Sequence, residues 1–187
     1  MTPRDIAGVV EYLYALHIAG VTVVTFNGAG FDFRVVAAHL EHDADALEKV
    51  KVLARQHVDL MFEFACRHGY YASMNSFSEG CGLTQKTGKG CDAIEAWSGE
   101  TATLASRDGV LAYCANDVKC LAELYRHIVA NGEAHRMTKA GNRRAAPFSK
   151  PPASVDKAVA IFESAPPDCS WMSDPPDVVG AVAWLRV

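Results

Sequence analysis

The chain has 187 residues, 50% apolar and 21% charged, with a net charge of −4. That length supports a domain with a real core, and the composition excludes a disordered chain. No apolar run approaches the roughly 20 residues of a membrane span, and the charge balance excludes a strongly basic, non-specific nucleic-acid binder. The N-terminus, Met-Thr-Pro-Arg-Asp, lacks a charged-then-apolar leader pattern, so a cytoplasmic protein is expected. Cysteines stand at 66, 81, 91, 114, 120 and 169 without a C-x-x-C pair. Reduced thiols are therefore expected. The spacing of Cys81 and Cys91 with nearby histidines matches no common zinc module.

Thr2, Pro3 and Asp5 have the order of a helix start: a cap, a proline in the first turn and an acid near the dipole. Ile6, Val9, Val10, Leu13 and Leu16 follow at helical spacing, and Gly20 stops the helix. Val21 to Phe26 is an apolar, β-branched run, as expected of a strand buried on both faces of a parallel sheet. After the Asn27–Gly30 turn, Phe31, Val35, Val36 and Leu40 predict a helix, and another is predicted over residues 45–56. Residues 57–61 read as a second short strand. Short helices and loops are expected over residues 69–100, where glycines are frequent.

A long helix is predicted from Arg107 to Ala130, buried along Val110, Leu111, Cys114, Val118, Leu121, Tyr125 and Ile128 and stopped by Gly132. Residues 134–155 contain no acid and carry Arg136, Lys139, Arg143, Arg144 and Lys150, which reads as a loop or hairpin leading to a Pro-rich linker. Val178 to Leu185 is an apolar helical stretch. Trp97, Trp171 and Trp184 read as packing residues.

Two segments carry candidate chemistry. Asp32 closes V-T-V-V-T-F-N-G-A-G-F-D at the carboxyl end of a strand, where α/β sheets commonly place ligands. The competing reading is an acid in the first turn of a helix, favoured by the dipole. In Y-C-A-N-D-V, Tyr113 and Asp117 are four apart and share one helix face. The competing reading is a stripe-edge tyrosine and a solvated aspartate.

Taken together, N-G-x-x-F-D, H-V-D-L-M, G-L-T-Q-K-T-G-K-G with W-S-G, and Y-x-x-x-D resemble the DEDD exonuclease superfamily in its tyrosine form. The resemblance is to predicted 3′–5′ exonucleases related to the proofreading domain of family-B DNA polymerases. It runs over about residues 5–130, and P-P-D-C-S-W-M resembles a tail of some members. It implies an α/β, RNase H-like fold and two-metal hydrolysis of phosphodiester bonds at a DNA or RNA 3′ end. Asp32 and Asp117 would ligate Mg²⁺ or Mn²⁺, and Tyr113 would orient the attacking water. Asn27 would sit beside the terminal sugar, with Gly28, Phe31 and Lys86 also at the nucleic acid. Residues 1–133 would form the exonuclease domain and 134–187 a basic, Pro-rich appendage.

The family's first motif, D-x-E on an earlier strand, is missing: no D-x-E occurs in the chain. The fold is therefore expected to be N-terminally incomplete, with few parallel strands flanked by helices and impaired or absent activity. The Val21–Phe26 strand would then present an apolar edge, for which self-association or a partner chain is expected. A truncated, a split and a degenerate domain all remain open.

Asp59 reads as a supporting residue rather than a ligand. Lys86 and Lys89 read equally as phosphate contacts and as solvated loop lysines. No P-loop pattern occurs. The basic stretch 136–150 fits a linker or a nucleic-acid track. A non-catalytic binding or interaction module is the alternative to an exonuclease. A nucleotide-binding domain using the Asn27–Gly30 turn leaves Tyr113 and Asp117 unexplained.

Overall fold

The computed structural model describes residues 3–87, 90–99 and 102–186, so the Thr2 cap, Lys89 and the Cys91 side chain lie outside the described residues. Contacts divide the chain into two compact units, Met1–Ala72 with Pro147–Val187, and Ser73–Ala146.

The first unit begins with α1 (Pro3–Ile18), which packs on α3 (Ala44–Gln56) through Val10 and the half-buried Ile6, Leu13 and Tyr14. Val9 points outward at 48% exposure, off the predicted stripe. The β1 strand is only Val24–Thr25 and runs parallel to β2 (Val58–Asp59), with Val24 opposite Val58. The expectation of a long strand buried on both faces fails: Val21 is 47% exposed and β1 is half-buried. The reason is its single neighbour. Among the described residues β1 pairs with β2 alone, whereas the other edge of β2 is bridged by Ser154. Without a second partner the run has no ladder to hold it extended.

The predicted strand 57–61 also shortens, because α4 (Leu60–His68) starts at Leu60. Asp59 accepts from the N–H groups of Met61 and Phe62, and this cap turns the strand end directly into a helix. A short α2 (Phe33–His39) and α3 complete this half, with Asp43 capping α3 through Ala46 N–H.

Residues 147–187 return to the same unit. Their α8 (Val155–Ser164) packs on α4 and α3 where the sequence reading placed only a linker. The signal was present: Ser154, then Val155, Ala158 and Phe162 at helical spacing. The predicted C-terminal helix is a 3₁₀ helix, Gly180–Arg186, which buries Val182 and Leu185. Glu63, fully buried, pins this return. It accepts from Ser149 N–H at 2.6 Å, Ala153 N–H at 2.7 Å and Arg67 Nε at 3.2 Å. These charge-assisted bonds repay the desolvation of the carboxylate.

The second unit contains α5 (Met74–Cys81), α6 (Gly90–Ser98), α7 (Leu104–Asn131) and a hairpin of β3 (Glu133–Met137) and β4 (Arg143–Pro147). Thr103 and Ser106 form a reciprocal capping box on α7, and Gly132 ends it at φ 77°. The buried line of α7 is Cys120, Leu124 and Ile128, packed with Phe77 and Ala134 in the core of this unit. Leu111 and Val118 are exposed, at 56% and 66%. The predicted stripe is thus rotated, because α5 and β3 meet α7 on the face that also carries Tyr113 and Asn116. Gly80 permits the contact with β3: a Cβ there would lie 2.5 Å from His135 O.

Of the readings of the basic stretch, the hairpin is the one found, with Arg143 Nε donating to Gly80 O at 2.7 Å. Trp97 and Trp171 stay partly exposed, at 45% and 67%, the first under Arg107 and the second edge-on to Tyr70, whereas Trp184 donates Nε1–H to Ala29 O at 3.2 Å.

Candidate functional site

The first group of candidate residues sits on the turn leaving β1. Asn27 adopts φ 75° and ψ 17°, the only non-glycine residue with positive φ among those described. Asparagine tolerates this left-handed conformation better than most residues. Its N–H donates to Asp59 Oδ1 and that of Ala29 to Asp59 Oδ2, each at 2.9 Å. Gly28 is buried and donates its N–H to Thr25 Oγ1 at 3.2 Å. A Cβ on Gly28 would stand 2.5 Å from that oxygen, so the turn closes on the strand only with glycine. A wide helical turn, Gly28–Asp32, then leads into α2, with Phe33 N–H bonded to Gly28 O.

Asp32 precedes α2 and makes no side-chain capping bond. Its place at the start of α2 still suits the helix dipole; Asp32 is exposed, and so is its neighbour Phe31, at 61%. Partial desolvation by the turn raises the Asp32 pKa; its own backbone amide opposes this, and the Asp59 carboxylate adds to it.

Asp59 is 1% exposed and receives four backbone N–H bonds, two from the turn and two from α4. Its burial disfavours the charge. His57, with Nε2 at 3.9 Å, and the Ala29 and Asn27 amides outweigh that effect and hold its pKa below the ordinary carboxylate value. His57 is itself buried: Nε2 lies 2.9 Å from Thr25 Oγ1, and its ring is 4.6 Å from Phe33. The supporting role expected of Asp59 is what these bonds describe. The sequence signal for it is an aspartate between a β-branched residue and an apolar helical run.

The second group lies on α7 and the extended segment 83–87. Tyr113 and Asp117 are both half-buried, one turn apart. Lys86 Nζ stands 2.6 Å from Asp117 Oδ2 and 5.3 Å from the centre of the Tyr113 ring. Partial burial works against the ammonium charge, but hydrogen bonds to Asp117 and Tyr113 prevail and raise the Lys86 pKa. The segment is held to its neighbours at three further points. Thr84 N–H donates to Glu123 Oε2 at 3.1 Å, Asn116 Nδ2 to Gln85 O at 3.1 Å, and Lys86 N–H to Asn75 Oδ1 at 3.0 Å. Sequence reading missed Asn75, Asn116 and Glu123, because nothing in their local spacing points to a chain segment so far away. Asp117 Oδ1 is buried and has no hydrogen-bond partner among the described residues.

The structure thus brings Tyr113, Asp117 and Lys86 together, and it places Asn27, Gly28, Phe31 and Asp32 on one turn. The two groups belong to different compact units. Among the described residues, no three His, Cys, Asp or Glu side chains gather as a metal-ion cluster. Asp32 and Asp117 are, each by itself, the oxygen-donor type that a hard divalent cation takes.

A family model of the RNase H superfamily matches residues 6–129, about two thirds of the chain, and the chain belongs to that superfamily. Comparison with curated proteins and with solved structures found no match. Membership in this superfamily, with helices around a short parallel sheet, supports a nuclease-like function and nucleic acid as partner. No helix among the described residues is long and apolar enough to cross a membrane.

Proposed function

We propose that the chain is a metal-dependent 3′–5′ exonuclease-like domain of the tyrosine DEDD type, acting on DNA or RNA ends in the cytoplasm. We assign the exonuclease domain to residues 1–133 and read 134–187 as a basic, Pro-rich appendage. The observation that carries the reading is Asp117, whose carboxylate shares a helix face with Tyr113 and keeps one buried oxygen without a partner. A buried acceptor left unsatisfied costs about 1–3 kcal/mol, and a ligating cation removes that cost.

In this reading Asp32 and Asp117 hold Mg²⁺ or Mn²⁺, which when bound supplies charge stabilisation for phosphodiester hydrolysis. Tyr113 positions the attacking water. Asn27, Gly28, Phe31 and Lys86 contact the terminal nucleotides, Phe31 by stacking its exposed ring on a base. The absence of D-x-E leaves the metal set short of carboxylates, so the chain alone is impaired. A non-catalytic binding module is the second reading. It is favoured by the Lys86–Asp117 pair, which already neutralises the carboxylate.

Calorimetric titration with MnCl₂ tests the assignment. Saturable binding is expected, weakened at least about tenfold in Asp32→Ala, as loss of a ligand should do. An unchanged isotherm in that variant rejects Asp32 as a ligand.

The open β1 edge carries a further expectation. Together with exposed Val21 and Ile18 it favours self-association or a strand-donating partner. Light scattering on the purified chain should show mass rising with concentration, and Val21→Lys should suppress the rise. A concentration-independent monomer contradicts it.

A further inference from the structure

We propose that the β3–β4 hairpin is a contact surface for the phosphate backbone of nucleic acid, with Lys139, Arg143 and Arg144 as its cations. The inference rests on nucleic acid being the partner in the reading above. It needs neither the metal nor the cleavage step of that reading.

Charge is the first ground. The chain carries a net −4, which repels a polyanion at long range. Such a partner has to be met where cations are concentrated and acids are missing. Residues 134–155 hold five Lys and Arg and no acid, leaving 13 bases against 22 acids on the rest of the chain. Lys139, Arg143 and Arg144 are exposed, and among the described residues none of the three forms an ion pair.

The second ground is that these cations are held in place. β3 packs on α5 and α7, so β4 is the outer strand, with four of its five residues exposed. Three hydrogen bonds close the tip: Thr138 N–H to Asn142 O at 2.9 Å, Gly141 N–H to Thr138 O at 2.9 Å, and Asn142 N–H to Thr138 Oγ1 at 3.1 Å. Gly141 supplies the left-handed conformation of this turn, at φ 75°. Lys139 stands on the closed tip beside Ala140 and Gly141, which put no bulk in the way of an approaching strand. Arg143 uses Nε on Gly80 O at 2.7 Å, which orients its guanidinium and leaves both Nη groups without a partner among the described residues. A guanidinium held this way loses little freedom on meeting a phosphate, and its remaining donors suit two phosphate oxygens. Arg144, next along β4, leaves the opposite face of the ribbon, so a backbone crossing the tip meets cations on both sides of it. Contacts of this kind position a nucleic acid without reading its sequence. Cations on an open edge strand also deter strand pairing, but that role leaves nucleic-acid affinity untouched.

The test follows, by fluorescence anisotropy, binding of the full chain to a labelled single strand of about 20 nucleotides, longer than common single-strand sites. EDTA keeps the strand uncut. Lys139→Gln/Arg144→Gln is compared with Arg4→Gln/Lys157→Gln, which removes the same charge from exposed positions of the other compact unit. Arg143 is left in place because its loss would also strip Gly80 O of its donor. Each phosphate contact on a single strand contributes about 0.7 to the slope of log affinity against log salt. The hairpin variant should lose about 1.4 of that slope and bind at least about tenfold more weakly at about 50 mM salt, whereas the control variant follows the wild type. In the wild type the Gly141 amide should shift in NMR spectra as the strand is added.

Equal affinity and slope in the two variants overturn the proposal. So does a Gly141 amide that stays still while the wild type binds, a readout that stands even if the hairpin variant does not fold. Poly-glutamate that displaces the strand as well as poly-dT does at equal charge assigns the hairpin to an acidic protein and overturns it too. A wild-type chain that binds no oligonucleotide overturns the nucleic-acid partner itself, and this surface with it. Hairpin-dependent binding by a chain that never cuts keeps the surface and rejects only the cleavage.

Discussion

Asp59→Ala is expected to destabilise the unit that holds it by about 3–4 kcal/mol, because four backbone N–H groups lose their acceptor inside a well-packed region. For a domain of this size that corresponds to a melting temperature lower by about 10 °C. Asp59→Asn should fall between the two: its oxygen can keep the bonds from Asn27, Met61 and Phe62, but its NH₂ then faces the Ala29 N–H. The effect should depend on pH. The folded carboxyl has a pKa below its ordinary value, so the unfolded chain takes up the proton first as pH falls. The stabilisation is full above the unfolded value of about 4 and is lost as pH drops through the folded value. Thermal melts at pH 7 and at pH 3 should therefore show the gap between wild type and Asp59→Ala narrowing in acid. A gap constant with pH would remove the carboxylate charge from the explanation.

The second large effect is on activity. Any Mn²⁺-dependent release of mononucleotides from a labelled 3′ end should drop at least about a hundredfold in Asp117→Asn, since misplacing a reacting group by even 1 Å costs that much. Asparagine keeps the shape and loses the charge, so the packing of α7 is expected to survive. The same substitution leaves Lys86 without its anion, and circular dichroism separates a folded, inactive protein from a collapsed one. Cleavage at the wild-type rate in a folded Asp117→Asn protein would end the assignment.

Local rules carried the sequence reading well wherever they decided the outcome. The α3 helix and the Gly132 stop followed from periodicity and capping alone. So did the one-turn spacing of Tyr113 and Asp117. The misses share a cause. Val21 to Phe26 has strand chemistry, but a strand needs neighbours, and β1 has one. Leu111 and Val118 belong to a fine apolar stripe, yet α5 and β3 pack on another face of α7. The α8 helix was hidden by the prolines before it, although Ser154 marks its start. Within the candidate site, the residues on the Asn27–Asp32 turn were legible as a motif. The clasp by Asp59 and the anchoring of Lys86 by Asn75, Asn116 and Glu123 depend on long-range hydrogen bonds, which periodicity cannot express.

The first unit is assembled from two separated stretches of chain, and Phe148, Ala153, Val155, Ala158 and Val182 of the later stretch are buried in it. On a ribosome these residues emerge after the whole of Ser73–Ala146. The intervening stretch, Ser73–Ala146, can collapse while the earlier one still lacks its lid, and Glu63 has only Arg67 to answer its charge until Ser149 and Ala153 arrive. Vectorial synthesis thus leaves the Asn27–Asp32 turn and its open strand edge exposed in the nascent chain for the whole time needed to translate the second unit, at about 5–20 residues per second. Chaperone dependence during translation, greater than that of a contiguous domain of equal length, is what this order of assembly entails.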